Sequence, residues 1–164
     1  MSDFAVAHYD SPYVTAYPWS SSGFGTKYAN PTTLPPNTGW GVAFSPNGDA
    51  LAVAHDDSPY ITAYPWSSSG FGTKYTNPTT LPSDTGWGVA FSPNGDAIAV
   101  GIQSYFSVCF FVYGWSSSGF GSKFADPTTY PDFLGYGVAF RPVQPSSGSL
   151  RRPWVFCGLM GGML

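Results

Sequence analysis

Hydrophobic and polar positions alternate along this chain in short runs that recur in a fixed order. In "GWGVAF" at residues 39–44 large and small residues alternate, which predicts a strand with Trp40, Val42 and Phe44 on one face and Gly41, Ala43 and Ser45 on the other. "SPNGD" then supplies an Asn-Gly hairpin turn, and "ALAVAH" returns as a second strand. "DDSP" turns the chain again, and "YITAYPWS" reads as a third strand with Tyr60, Thr62, Tyr64 and Trp66 on one side. After "SSSG" the run "FGTKYTNP" predicts a fourth, outermost strand that carries the repeat's only lysine. Helices fit poorly, because each close copy holds at least five prolines and five glycines and no apolar residues at helical spacing.

The runs recur because the chain is internally duplicated. Residues 4–50 laid over residues 51–97 differ at six of 47 positions: Phe4/Leu51, Tyr9/Asp56, Val14/Ile61, Ala29/Thr76, Pro36/Ser83 and Asn37/Asp84. A third, more divergent unit follows from Ile98, where "GWSSSGFGSKFADPTTYP" answers "PWSSSGFGTKYTNPTTLP" and "GYGVAF" answers "GWGVAF". The spacing of Trp19, Trp66 and Trp115 is 47 and then 49, the two extra residues falling in "AVGIQSYFSVCFFVYGW". Four short strands at a period in the forties make a propeller blade. The expected fold is therefore all-β, a β-propeller of three four-stranded blades (residues 4–50, 51–97 and 98–140). Residues 141–164 form a divergent tail, read as an adapted strand or a disordered extension.

The segment "VAFSPNGDALAVA", nearly repeated as "VAFSPNGDAIAVG", resembles the inner-strand hairpin of WD40-like β-propeller repeats, in which a Phe-Ser-Pro-Asp/Asn-Gly run joins the first two strands of a blade. The resemblance covers residues 4 to about 140 and implies a binding or scaffolding role. The chain lacks that family's Gly-His before the inner strand, and ends its third strand in Tyr-Pro-Trp where the family has Trp-Asp. Its strands also open on a second strand, "FAVAH", and the last clear element is a first strand, "GVAF", an order suited to interlocking closure. Three blades do not sweep a circle, and an isolated arc exposes apolar faces and unpaired edges. A second copy would complete a six-bladed ring with two-fold symmetry, so the expected partner is the chain itself, as a dimer. The competing expectation is a truncated product of repeat amplification, or a fragment of a longer array.

Composition narrows the function classes. Charged residues are 9% of the chain and aromatic residues 18%, with six Lys and Arg against nine Asp and Glu. That balance leaves no basic face for nucleic acid. No apolar run approaches a membrane span, and "MSDFAVAHYD" has no secretory pattern, so the chain is expected to be soluble and not Sec-exported. The cysteines, Cys109 and Cys157, lie 48 residues apart without metal-ligand spacing and read as packing residues.

Candidate chemistry is sparse. His8 with Asp10 and His55 with Asp57 occupy matching places at the end of the second strand, beside a turn. They read either as groups that bond the turn backbone or as a ligand site on the loop rim. Trp19, Trp66 and Trp115, each preceding a Ser-Ser-Ser-Gly-Phe-Gly turn, read either as filling between blades or as stacking platforms for sugar rings, which gives a lectin-like glycan-binding alternative. No zinc spacing, EF-hand, phosphate loop or nucleophile elbow occurs, so neither cofactor nor enzymatic activity is expected.

Overall fold

A computed structural model describes residues 2–104, 108–131 and 134–142. From residue 143 onward the divergent tail, with both readings of it, lies outside the described residues. Among the described residues eleven strands form three antiparallel sheets and no helix occurs. The first sheet holds β1 (Ser2–Ala7), β2 (Val14–Ser20) and β3 (Gly23–Phe24). The second holds β4 (Gly39–Phe44), β5 (Ala50–His55), β6 (Ile61–Ser67) and β7 (Gly70–Phe71). The third holds β8 (Gly86–Phe91), β9 (Ala97–Ile102), β10 (Phe110–Ser116) and β11 (Gly119–Lys123). Within each sheet every strand pairs with its neighbour in sequence, as hairpin connections dictate.

Local chemistry explains each turn. In Ser-Pro-Asn-Gly-Asp, Pro46 is suited to the second place of a type I turn and the Gly48 N–H donates to the Ser45 carbonyl at 2.9 Å. Gly48 alone takes a positive φ of 70°, so the loop is a wider turn than the two-residue Asn-Gly hairpin read from the sequence. The Ser45 hydroxyl locks it, accepting from the Asp49 and Ala50 N–H groups at 3.1 and 3.0 Å and donating to the Asp49 carboxylate at 2.6 Å. Ser92 and Asp96 repeat the arrangement.

The fourth strand departs from expectation. Only Gly70–Phe71 pairs with β6, whereas β11 runs five residues. The partner strand accounts for this, since β6 carries Pro65, which has no N–H to offer a ladder, where β10 carries Gly114. Beyond β7 the chain still follows β6 through single bonds, Gly72 N–H to the Pro65 carbonyl and Tyr75 N–H to the Ala63 carbonyl. Lys27, Lys74 and Lys123 each reach the Asn or Asp three residues on, so they clamp the turn that leaves the sheet.

Two apolar layers join the sheets. Val14 and Ala16 of the first sheet pack with Leu51, Val53, Tyr64 and Trp66 of the second. On the second sheet's other face Ala52, Ala54, Ile61 and Ala63 pack with Ile98, Val100, Tyr113 and Trp115 of the third. Small residues on one face thus meet large residues on the next, which lets the layers interdigitate. Residues 135–140, expected as a first strand, carry no ladder among the described residues. They nevertheless stand against the third sheet as β4 stands against the first. The Gly135 N–H donates to the Ile102 carbonyl at 2.9 Å, as the Gly39 N–H donates to that of His8 at 3.1 Å.

Candidate functional site

The first strand of each unit carries a glycine on either side of an aromatic residue, and this triplet builds the feature that sequence reasoning passed over. A register shift between Gly39 and Gly41 interrupts the β4–β5 ladder, and a matching shift lies between Gly86 and Gly88. The bulge turns Trp40 away from Val42 and Phe44, which pack in the layer between the first and second sheets. Trp40 is therefore not on their face, as strict alternation would have it. Its ring lies instead 4.5 Å from that of Trp87, and the Trp87 ring lies 5.6 Å from that of Tyr136. The three rings form a row across successive units, with Trp40 42% and Tyr136 62% exposed at its ends. In the middle, the Trp87 Nε1–H is buried with no hydrogen-bond partner among the described residues.

Close backbone approach makes the row possible. A Cβ on Gly41 would stand 2.7 Å from the Trp87 carbonyl oxygen, and one on Gly88 would stand 2.7 Å from that of Tyr136. Any larger residue at these places would force the strands apart.

The histidines find threonines and not the aspartates that follow them. His8 and Thr15 share a 2.8 Å hydrogen bond through Nε2, and His55 and Thr62 share another of 2.8 Å. His55 is fully buried, and burial holds its pKa down at about 4, with Lys74 adding to the effect. Asp56 and Asp57 act in the opposite direction without offsetting burial, and the ring's Nδ1 has no partner of good hydrogen-bond geometry. Asp10 and Asp57 are exposed, their backbone carbonyls closing the turns to the Tyr13 and Tyr60 N–H groups at 2.8 Å each. The Asp57 carboxylate accepts from the Asn37 side chain at 3.1 Å. The histidine side chains thus tie neighbouring strands through threonines, while the aspartates close the turns through their backbone carbonyls.

Of the three tryptophans, Trp66 and Trp115 lie between sheets with 6% and 8% of their surface exposed. Each is ringed edge-on by aromatic neighbours: Tyr28, Phe44 and Phe71 around Trp66, and Tyr75, Phe91 and Phe120 around Trp115. The Trp66 Nε1–H also donates at 3.0 Å to Asp3, whose other oxygen accepts from the Tyr28 hydroxyl at 2.8 Å. Neither ring has a free face for a sugar. Trp19 is 42% exposed beside Phe4, Val6 and Phe24, on the first sheet's outward face.

Among the described residues no group of three or more His, Cys, Asp or Glu side chains is placed to hold a metal ion. Cys109 is a buried free thiol whose Sγ lies 3.8 Å from the Pro131 carbonyl oxygen.

No protein-family model matches the chain, and no curated protein matches it. Among solved structures the chain is similar to hydrazine synthase of Kuenenia stuttgartiensis, at 14% identity and a TM-score of 0.53. The likeness covers 76% of this chain and 31% of that one, and it bears on the fold alone. The chain thus spans about a third of the structure it resembles.

Proposed function

We propose that this chain is a non-catalytic binding or scaffolding module, built from WD40-like propeller blades, that completes its ring by associating with a second copy. The observation that carries the reading is the outward face of the first sheet. Phe4, Val6, Trp19 and Phe24 are 43%, 38%, 42% and 60% exposed there. Their counterparts Leu51, Val53 and Trp66 are buried, with 0%, 0% and 6% of their surface exposed. An apolar face that the same repeat buries twice elsewhere is an interaction surface left unfilled. Repeated turn residues and packed aromatics account for the candidate chemistry, which supports a role in binding over one in catalysis.

Sedimentation equilibrium on the intact chain at micromolar concentration tests the reading. A species of twice the chain mass is the expected result. A well-folded monomer at every concentration would overturn it.

A further inference from the structure

We infer that the open face of the first sheet and the stretches 124–131 and 135–140 are the two halves of one joint, and that a second copy of the chain brings them together. The inference rests on the self-association reading above and names the contacts through which it occurs.

Four contacts that recur between successive units inside the chain supply the template, and all four occur together between the second and third sheets. The first is backbone against backbone: Gly41 faces the Trp87 carbonyl and the Gly88 Cα, and Gly88 faces the Tyr136 carbonyl and the Gly137 Cα. Gly137, the next in the series, faces open space. The second is the ring row of Trp40, Trp87 and Tyr136, whose end members are its most exposed.

The third contact is a knob in a socket. Tyr28 covers Gly70 and meets Trp66 edge-on at 5.1 Å, and Tyr75 covers Gly119 and meets Trp115 at 5.2 Å. The next knob, Phe124, is 53% exposed, and the socket at Gly23 beside Trp19 is open. The fourth is a hydroxyl tie, from Tyr64 to the Thr33 carbonyl at 2.7 Å and from Tyr113 to that of Thr80 at 2.8 Å. Tyr17 and Thr129 hold the corresponding places in the first and third units.

The open socket beside Trp19 and Tyr17 of the first sheet therefore have their missing halves at Phe124 and Thr129, and the open end of the ring row at Trp40 has its continuation at Tyr136 and Gly137. Because the sockets are nearly identical in sequence to those already filled, the occupant they fit is this same repeat. Residues 135–140 of one copy would lie along β1 of the other in the register that β4 takes on β5. Val42 opposite Val53, Ala43 opposite Ala52 and Phe44 opposite Leu51 become Val138 opposite Val6, Ala139 opposite Ala5 and Phe140 opposite Phe4. Tyr136 then stacks beside the other copy's Trp40. Two such exchanges close a ring of six sheets about a two-fold axis.

Engineered disulfides test the register on the full chain carrying Cys157→Ser. One variant pairs Ala5→Cys with Ala139→Cys, and another pairs Val6→Cys with Val138→Cys. Adjacent antiparallel pairs alternate between wide and close spacing, so one of the two is the close pair. The expected result on oxidation is a single cross-linked dimer in at least one variant, and none when Ala5→Cys is combined with Phe140→Cys, one residue out of register. Absence of any cross-link, a link within one chain, or a ladder of higher multiples would overturn the joint. A dimeric mass without these cross-links would leave the self-association reading standing and remove only this joint, whereas a monomeric mass would remove both. Phe124→Asp gives an independent check, since the residue is exposed in the single chain. Its circular dichroism at low concentration should match the parent while its dimer dissociation constant rises at least tenfold, and an unchanged constant would count against the joint.

Discussion

Strands β1–β3 of the first sheet and β5–β7 of the second come from repeat units that agree at 41 of 47 positions, yet one presents to solvent what the other hides. Trp19 and Trp66 sit in the same local sequence, on the same kind of strand, before the same turn. One is 42% exposed and the other 6%. The strands form in both cases because strand and turn chemistry are local. Burial does not follow from the repeat, because each sheet has two apolar faces and a face is covered only where another sheet stands against it. Stability in such an array resides in its joints as much as in its units.

Substitutions at matched positions sharpen the contrast. The largest effect is expected at Trp66, where Trp66→Ala should destabilise the chain by about 3–5 kcal/mol through the cavity left between sheets. Trp19→Ala should cost less than about 1 kcal/mol under dissociating conditions. Denaturant unfolding of the two variants at low concentration makes the measurement, and equal losses would erase the distinction between the two sheets.

Next comes His55, the fully buried histidine of the second sheet. Its pKa falls from 6.5 to about 4 on folding, so the unfolded chain takes up a proton that the folded chain refuses. This contribution is fully present above pH 6.5 and is lost as pH falls toward 4, amounting to about 3 kcal/mol across that window. Unfolding free energy followed from pH 7 to 4 should show this decline in the parent and a shallower one in His55→Gln.

Smaller effects are expected at the glycines. Gly41→Ala places a Cβ against the backbone of β8 and should cost about 1–3 kcal/mol. Gly137→Ala places one in open space and should leave the single chain's melting temperature unchanged while weakening the proposed self-association. Thermal melts at low and high concentration distinguish the two.

Much of this architecture was legible in the sequence. "GWGVAF", "ALAVAH" and "ITAYPWS" are strands where alternation places them, with Tyr60 left in the turn, and Ser-Pro-Asn-Gly-Asp turns the chain where it should. What escaped was set by interruptions of the ladder. Pro65 shortens the fourth strand by withholding an N–H, and the bulge at Gly39 and Gly41 moves Trp40 off the face that alternation assigns it. The ring row was visible only as the triplets Gly-Trp-Gly, Gly-Trp-Gly and Gly-Tyr-Gly, a signal that reads equally well as strand filler. Trp19, Trp66 and Trp115 left filling and stacking open for a related reason, since sequence shows a large ring but not the neighbour that covers it.

Hydrogen exchange along β1 tests the central claim most directly. If a second copy's residues 135–140 pair with this strand, its amides at high protein concentration should be protected to the degree seen in β5, and the protection should fall on dilution. Rapid exchange in β1 at every concentration, beside a well-protected β5, would contradict the account.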